Sequence, residues 1–255
     1  MRKLNAPGDS VQDVFSTCIE SYRDAALKNR LRSIVPVLSD EASRFEDCVL
    51  TSKTHTIPTA DNVGGVVSKA EMLDIYESKF VKGTGRPYYD KYMSLPTNGK
   101  CPFCGIGTVS TLDHYLPKSK YPALAITPKN MIPACRDCNL GKKRTFSPQN
   151  SEEEPLHPYF DDVEQDIWLS VRFEVAGKEL VPTYFVRKPV AWNDLLFRRV
   201  ENHMVLYNLY TSYAVHAAEE ITGRWVYGMS FSIDVVKISL RHPFMTRRLA
   251  GNSCS

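Results

Sequence analysis

The sequence predicts an α+β protein that is mainly helical, with a central cysteine-bearing core and a short β-hairpin before a long C-terminal helix. Apolar residues recur at helical spacing in the N-terminal third, two Cys-x-x-Cys pairs frame a turn-rich middle, and an alternating stretch precedes a long helical pattern in the last third. We therefore expect an N-terminal helical region at 1–95, a core at 96–150 and a hairpin-plus-helix region at 151–255.

The N-terminal third contains helical patterns with recognisable starts. One begins at Val11, directly after Asp9 and Ser10, either of which can cap it. Another follows Ser68 and Glu71, which form the capping-box pattern Ser-x-x-Glu ahead of an apolar face. These patterns assign the region to helix.

The last third predicts a hairpin followed by a helix. The stretch DIWLSVRFEV alternates apolar and polar residues, and KELVPTYFV can pair with it through the turn AGK. From about Trp192 to Glu220 the apolar side chains follow one broad helical face. That face is most simply explained as a core or partner contact.

Composition and charge narrow the class of protein. Of the 255 residues, 43% are hydrophobic and 24% are charged, but the net charge is only +3. Any surface that binds nucleic acid must therefore come from local clustering of basic residues. No apolar signal segment follows the opening MRKLNAPGDS, and no window approaches eighteen apolar residues. We expect a cytoplasmic protein without a membrane span.

Four of the seven cysteines form two closely spaced pairs, Cys101-Pro-Phe-Cys104 and Cys135-Arg-Asp-Cys138. Together they supply the four thiolates of a closed tetrahedral zinc site, and in a chain without a secretion signal they favour metal over disulfides. The 30 residues between the pairs exceed the usual zinc-ribbon spacing, so a structural Zn²⁺ would hold a sizeable insert. A redox-active dithiol in CPFC is the alternative interpretation.

The insert between the cysteine pairs carries residues suited to hydrolysis. Asp113 and His114 stand together at the end of a β-like run, Thr108 to Leu112, and asparagine recurs at Asn130 and Asn139. A carboxylate and an amide carbonyl are the hard oxygen ligands of a hydrated Mg²⁺ or Mn²⁺. A neutral imidazole beside them can take a proton from an attacking water.

The order Cys-x-x-Cys, Asp-His, Asn, Cys-x-x-Cys-Asn, between Cys101 and Lys143, resembles the HNH endonucleases, whose catalytic core is a ββα-metal finger. The resemblance implies that His114 is the general base. It also implies that Asp113 and Asn139 hold the catalytic divalent ion, and that Asn130 braces the loop between the two halves. Asn139 stands where the final histidine of the family often stands. The expected core is thus a ββα-metal unit held together by zinc.

The wider layout is similar to a narrower group, the PtuB-like HNH effectors of Septu-type and retron-associated anti-phage systems. The shared features are the opening MRKLN, the helical N-terminal region, the core, the stretch HPYFDD and the long C-terminal helix. This resemblance implies a nuclease of anti-phage defence that works with an ABC-type ATPase partner.

Basic residues and one further histidine flank the predicted site. The basic residues are Lys118, Lys120, Lys142, Lys143 and Arg144. They can bind the phosphates of DNA or RNA without recognising bases, and the alternative is a solvated face. His157, with Asp161 and Asp162 nearby, is a further site candidate. The alternative for His157 is a turn whose aromatic neighbours pack under the core.

Two alternatives to an endonuclease stay open. A zinc-ribbon module that binds nucleic acid or protein without cutting explains the cysteines and lysines but leaves Asp113 and His114 without a role. A dithiol oxidoreductase would use CPFC alone. The sequence favours a metal-dependent endonuclease that hydrolyses phosphodiester bonds.

Overall fold

The computed structural model describes residues 1–141, 146–176 and 179–226. The described chain is a mixed structure with extensive helix and small antiparallel sheets. It divides into two compact units. The first consists of Met1–Glu164 and Asn193–Leu209, and the second consists of Gln165–Trp192 and the described residues from Tyr210 to Val226.

The helices of the described residues are α1 (Val11–Ile19), α2 (Ala25–Arg32), α3 (Val35–Leu50), α4 (Lys69–Asp74), α5 (Arg86–Met93), α6 (Arg136–Gly141), α7 (Asp194–Leu206) and α8 (Leu209–Val226). The strands are β1 (Asn62–Val63), β2 (Val67–Ser68), β3 (Thr111–His114), β4 (Met131–Ala134), β5 (Leu169–Ala176) and β6 (Glu179–Val186). They pair as three antiparallel ladders, β1–β2, β3–β4 and β5–β6.

The predicted helix starts at Ser10 and Ser68 are confirmed. The side chain of Ser10 accepts a hydrogen bond from the backbone N–H of Asp13 and caps α1. Ser68 and Glu71 form a complete capping box at the start of α4. After α4 the helix continues as a π-helical segment, Ile75–Val81. Each start satisfies N–H groups that an uncapped helix would leave without partners.

The core of the first unit lies between these helices and the β3–β4 pair. Its fully buried members include Phe15 from α1, Leu38 from α3 and Phe80 from the π-helical segment. Leu112 of β3 and Met131 of β4 belong to the same buried cluster. Each Å² of apolar surface that is buried in such a core stabilises the fold by roughly 25 cal/mol. The N-terminal helices therefore support the strands that carry Asp113 and His114.

The predicted hairpin is confirmed in the second unit. Strands β5 and β6 pair from Leu169–Val186 to Ala176–Glu179. Within this unit the indole N–H of Trp192 donates to the carboxylate of Asp166 over 2.8 Å. The alternation of apolar and polar residues is sufficient to predict the hairpin, because its two strands are neighbours in sequence and pair with each other.

The prediction of one continuous helix from about Trp192 to Glu220 was wrong. The structure has two helices, α7 and α8, separated at Tyr207 and Asn208. Asn208 has φ 52°, in the left-handed region. Asparagine adopts this conformation more readily than most residues, and it ends a right-handed helix.

Among the described residues, no helix is both long and apolar enough to cross a membrane.

Candidate functional site

The four paired cysteines converge into one buried cluster. Their sulfur atoms all lie within 4.8 Å of one another. The Sγ atoms of Cys104 and Cys135, which belong to different pairs, are 3.8 Å apart. Four thiolates around a tetrahedral zinc ion, at Zn–S distances of about 2.3 Å, are separated by roughly 3.8 Å. The cluster therefore fits a structural zinc ion, as the sequence predicted.

The backbone around the first cysteine pair is folded to suit this cluster. The N–H of Cys101 donates to the carbonyl of Gly107 over 2.8 Å, and the N–H of Gly107 donates to the Sγ of Cys104 over 3.3 Å. A Cβ atom on Gly107 would lie 2.7 Å from the Cβ and Sγ of Cys135. Glycine is thus required at this position because the two cysteine pairs approach so closely.

The thiols of the cluster shift one another's pKa values because they lie so close together. The hydrogen bond between Cys101 and Cys104 lowers the pKa of Cys104 and raises the pKa of Cys101. Sulfur atoms this close cannot all carry negative charge unless a cation neutralises them. Because both thiols of CPFC belong to the buried four-sulfur cluster, an exposed dithiol that exchanges electrons does not match the geometry.

The insert forms two strands, and a helix follows it. Strand β3 pairs antiparallel with β4, so that Asp113 lies opposite Ile132 and His114 lies opposite Met131. Cys135 follows β4 directly, Cys138 lies in α6, and α6 packs against β3. The cysteine cluster thus joins the chain before β3 to the turn between β4 and α6.

His114 is held by a backbone carbonyl and an aromatic ring. Its side chain is buried at the end of β3, and its Nε2 lies 2.8 Å from the carbonyl oxygen of Ala125. Since a carbonyl only accepts, Nε2 must carry the hydrogen. In the neutral imidazole, Nδ1 is then the nitrogen with a lone pair. The ring also meets the ring of Tyr76 edge-on, with centroids 4.8 Å apart.

Asn130 is fully buried and ties together the loop between the strands. Its Oδ1 accepts from the N–H of Leu116 over 2.8 Å. Its Nδ2 donates to the carbonyls of Leu116 and Leu124, each over 3.0 Å. Ala125, which contacts His114, follows Leu124 directly. The amide therefore fixes the loop segment from which the carbonyl partner of His114 comes.

Asp113 and Asn139 supply the oxygen donors that the sequence assigned to a divalent ion. Asp113 is buried in β3 and Asn139 is half-buried in α6, and these two elements pack together. A carboxylate and an amide oxygen fit the preferences of Mg²⁺ or Mn²⁺. By the chemistry of its donors, the pair therefore suits such an ion.

The basic residues predicted to bind phosphate divide into two groups. Lys142, Lys143 and Arg144 lie outside the described residues. Lys118 donates to the carboxylate of Glu77 over 2.5 Å, and its Nζ lies 3.7 Å from the centroid of the Tyr76 ring. Lys120 is half-buried, and its carbonyl accepts from Ala60. Lys118 is thus placed near His114 through Tyr76.

His157 is fully buried, and backbone groups contact both of its ring nitrogens. Its Nε2 lies 3.1 Å from the carbonyl of Lys129, and its Nδ1 accepts from the N–H of Tyr159 over 3.2 Å. The ring packs against several aromatic residues, including Tyr115 at 4.5 Å. This environment matches the alternative interpretation, in which HPYFDD is a turn that packs under the core.

Several residues that support the site carry no signal in the sequence. Arg199 of α7 forms a buried bidentate pair with Asp161, at 2.7 and 3.0 Å, and donates to the carbonyls of Glu154 and Pro155. The hydroxyl of Tyr115 donates to Pro155 over 2.7 Å. These contacts fasten the segment after α6 to the loop that begins beyond His114.

Helix α7 also contacts the first cysteine pair. The Nε2 of His203 donates to the carbonyl of Phe103 over 3.0 Å, and the ring of Tyr207 stacks on Phe103 with centroids 4.7 Å apart. Burial lowers the pKa of His203 to about 3, so the imidazole is neutral at pH 7. His203 therefore acts as a buried donor that fixes the CPFC turn.

Sequence comparisons connect the chain to two known proteins. It is 27% identical to protein ea31 of Escherichia phage lambda over 236 residues, which cover 87% of this chain and 78% of ea31. It is 31% identical to Septu protein PtuB of Bacillus thuringiensis over 102 residues, which cover 38% of each protein. No protein-family model and no solved structure matches the chain.

The two similarities differ in extent. The similarity to the phage protein runs through most of both chains, whereas the similarity to the Septu protein covers little more than a third of each. The chain is therefore a distant, partial relative of a Septu protein, with a buried four-cysteine cluster that can bind zinc.

Proposed function

We propose that this chain is a metal-dependent HNH endonuclease that hydrolyses phosphodiester bonds in DNA or RNA. The observation that carries the proposal is the environment of His114. This imidazole follows Asp113 at the end of β3, donates from Nε2 to a backbone carbonyl, and lies in a strand–strand–helix unit framed by four cysteines. A zinc-ribbon binding module needs only the cysteines, and leaves this histidine geometry unexplained.

His114 is the proposed general base. With its hydrogen on Nε2, the imidazole accepts a proton at Nδ1 from the attacking water. The Ala125 carbonyl then stabilises the positive charge that develops on the ring, because its oxygen points at the Nε2–H bond. A positioned base of this kind accelerates a reaction by roughly 100- to 10,000-fold.

Asp113 and Asn139 are the proposed ligands of Mg²⁺ or Mn²⁺. When bound, such an ion acts as a Lewis acid toward the phosphate oxygens. The water oxygen forms a new bond to phosphorus as the bond from phosphorus to the 3′ oxygen breaks. The water proton passes to His114, and the 3′ oxygen takes up a proton from solvent. The products are a 5′-phosphate and a 3′-hydroxyl.

Lys118 and Lys120 are the proposed phosphate contacts within the described residues. Lys118 forms an ion pair with Glu77. A bound phosphate would take the place of the Glu77 carboxylate as the anionic partner of the Lys118 ammonium group. Such contacts depend on salt and are independent of base sequence. We place the nuclease core at 96–150, between a helical region at 1–95 and the remainder at 151–255.

Cleavage assays test the proposal. Supercoiled plasmid and total cellular RNA are incubated with Mg²⁺ or Mn²⁺ and with wild type, His114→Ala or His216→Ala. His216 is exposed on α8 and provides the matched control. We expect His114→Ala to lose at least 100-fold in rate, with zinc content and melting temperature near wild type, and His216→Ala to cut normally.

A second pair of variants tests the divalent-ion ligands. Asp113→Asn removes the charge proposed to bind the ion, whereas Asp137→Asn removes an exposed charge from α6 in the same finger. We expect only Asp113→Asn to lose activity, with part of the loss recovered at high Mn²⁺ concentration. If all four variants cut as fast as wild type, the proposal that this chain is an HNH nuclease is refuted.

We further propose that the nuclease serves anti-phage defence together with an ABC-type ATPase. The support is the partial similarity to the Septu protein and the layout shared with PtuB-like effectors. Co-expression with the genes that neighbour this one should yield a complex with an ABC-type ATPase that survives purification and alters cleavage. Tight binding of nucleic acid without cleavage, with or without the ATPase, would instead favour the zinc-ribbon module.

A further inference from the structure

Tyr76 occupies an unusual position in the fold. It lies in the π-helical segment Ile75–Val81, which continues α4, and its side chain is buried. A π-helical turn contains an extra residue, which shifts the side chains that follow it around the helix axis. Such turns are rare and occur frequently at functional sites. Tyr76 comes 38 positions before His114 in sequence, so no local pattern connects the two residues.

The ring of Tyr76 contacts the proposed base directly. The ring centroids of Tyr76 and His114 are 4.8 Å apart, and the ring planes are inclined by 64°. The hydrogen bond from Nε2 to Ala125 fixes one atom of the imidazole, but it resists rotation about the N···O axis only weakly. A ring that meets the imidazole edge-on blocks that rotation. The two contacts together define the direction in which Nδ1 points.

Tyr76 is itself held in place. Its ring stacks on Phe80, with centroids 5.6 Å apart and an angle of 27°. The ammonium of Lys118 lies 3.7 Å from the ring centroid and is anchored by Glu77, the residue after Tyr76. A cation held over an aromatic face is attracted by the electron density of that face. The ring therefore has little freedom of its own and can orient a neighbour.

We propose that Tyr76 is a positioning residue for His114, whose ring fixes the orientation of the imidazole so that Nδ1 faces the reacting water. The kinetic part of this inference rests on the proposed nuclease function. The structural part, that the ring fixes the His114 imidazole, does not depend on it. The inference concerns the aromatic ring of Tyr76, because the ring makes the contact with His114.

Three variants test the inference. Tyr76→Leu removes the ring and keeps an apolar side chain in the core, whereas Tyr76→Phe keeps the ring and removes the hydroxyl. Tyr89→Leu is the matched control, because Tyr89 packs edge-on against the same Phe80, with centroids 6.0 Å apart, but lies in α5. Melting temperatures of all three are measured, so that assays run well below unfolding.

The first readout is cleavage under saturating substrate. We expect Tyr76→Leu to lower kcat by roughly 10- to 100-fold, since small misplacements of a catalytic group have effects of this size. Tyr76→Phe and Tyr89→Leu should stay within about threefold of wild type. In the His114→Ala background, Tyr76→Leu should cause no further loss, because a residue that acts through His114 has no effect once His114 is gone.

The second readout is the ¹⁵N NMR spectrum of the histidine side chains, in which His114→Ala identifies the His114 signals. In wild type, Tyr76→Phe and Tyr89→Leu, the two ring nitrogens should show the separated shifts of a single tautomer. In Tyr76→Leu the His114 side-chain signals should shift and broaden, because the imidazole then samples more than one orientation. Unchanged His114 signals in Tyr76→Leu would overturn the inference, as would an equal kinetic loss in Tyr89→Leu. If wild type cuts nothing, the nuclease proposal fails and the spectra alone decide the role of Tyr76.

Discussion

The two ends of the β3–β4 strand pair are held by different means. At the cysteine end, defined by Cys101, Cys104, Cys135 and Cys138, four sulfur atoms gather in one buried cluster. At the loop end, defined by residues 115–130, the chain is held by hydrogen bonds from single buried side chains such as Asn130. The proposed catalytic residues Asp113 and His114 stand at the loop end of β3.

This difference separates the proposed catalytic residues from the cysteine cluster that can bind zinc. A structural zinc site stabilises its surroundings through one strong, cooperative binding event. A set of hydrogen bonds contributes in smaller steps, each close to 1 kcal/mol when both partners are satisfied. Single residues at the loop end can therefore be changed while the cysteine end stays intact.

The largest effect is expected from loss of a zinc ligand. Cys138→Ser should lower bound zinc from about one ion per chain to nearly none after mild chelation, since three ligands do not close the site. Structural zinc contributes on the order of 10 kcal/mol in small domains, so the cysteine end should unfold. Metal analysis and thermal melting measure both effects. Cys48→Ser, half-buried and outside the cluster, should change neither.

The next effect concerns the buried pair of Arg199 and Asp161. Arg199→Met leaves the Asp161 carboxylate without its bidentate partner, and such losses cost about 3–5 kcal/mol. Urea unfolding should show this loss while zinc stays near one ion per chain. Adding Asp161→Leu should recover part of the stability, because no unpaired charge then remains. If Arg199→Met is as stable as wild type, the pair of Arg199 and Asp161 does not hold the loop end.

Asn130→Ala should weaken the loop end by about 2–4 kcal/mol. The substitution leaves one N–H and two carbonyls of the loop without their amide partner, in a fully buried place. Zinc content should not change, and cleavage should fall because the Ala125 carbonyl loses its support. Asn150→Ala, which removes an exposed cap, serves as the control and should cost at most about 1 kcal/mol. Zinc loss in Asn130→Ala would contradict the independence of the two ends.

The smallest effect is expected far from both ends. Ser10→Ala removes the cap of α1 and should lower the free energy of unfolding by about 1 kcal/mol. Zinc content and cleavage should both match wild type. A change in either would show that α1 is coupled to the strand pair more strongly than its packing suggests.

The sequence by itself determined the features that depend on local spacing. The four cysteines, the cap of α1, the capping box of α4 and the alternation of β5 and β6 follow from residue types at fixed separations. The break between α7 and α8 was missed because the apolar face continues through it, and the left-handed conformation of Asn208 is a single-residue event.

Only the tertiary structure decided what surrounds the proposed base. The contact of His114 with Tyr76 joins segments that are distant in sequence, and so does the pair of Arg199 with Asp161. No period or motif encodes such pairs, because each depends on how whole elements pack and not on the spacing within one element. The sequence therefore specified which groups can bind metal, whereas the packing of distant segments determined how the imidazole is oriented.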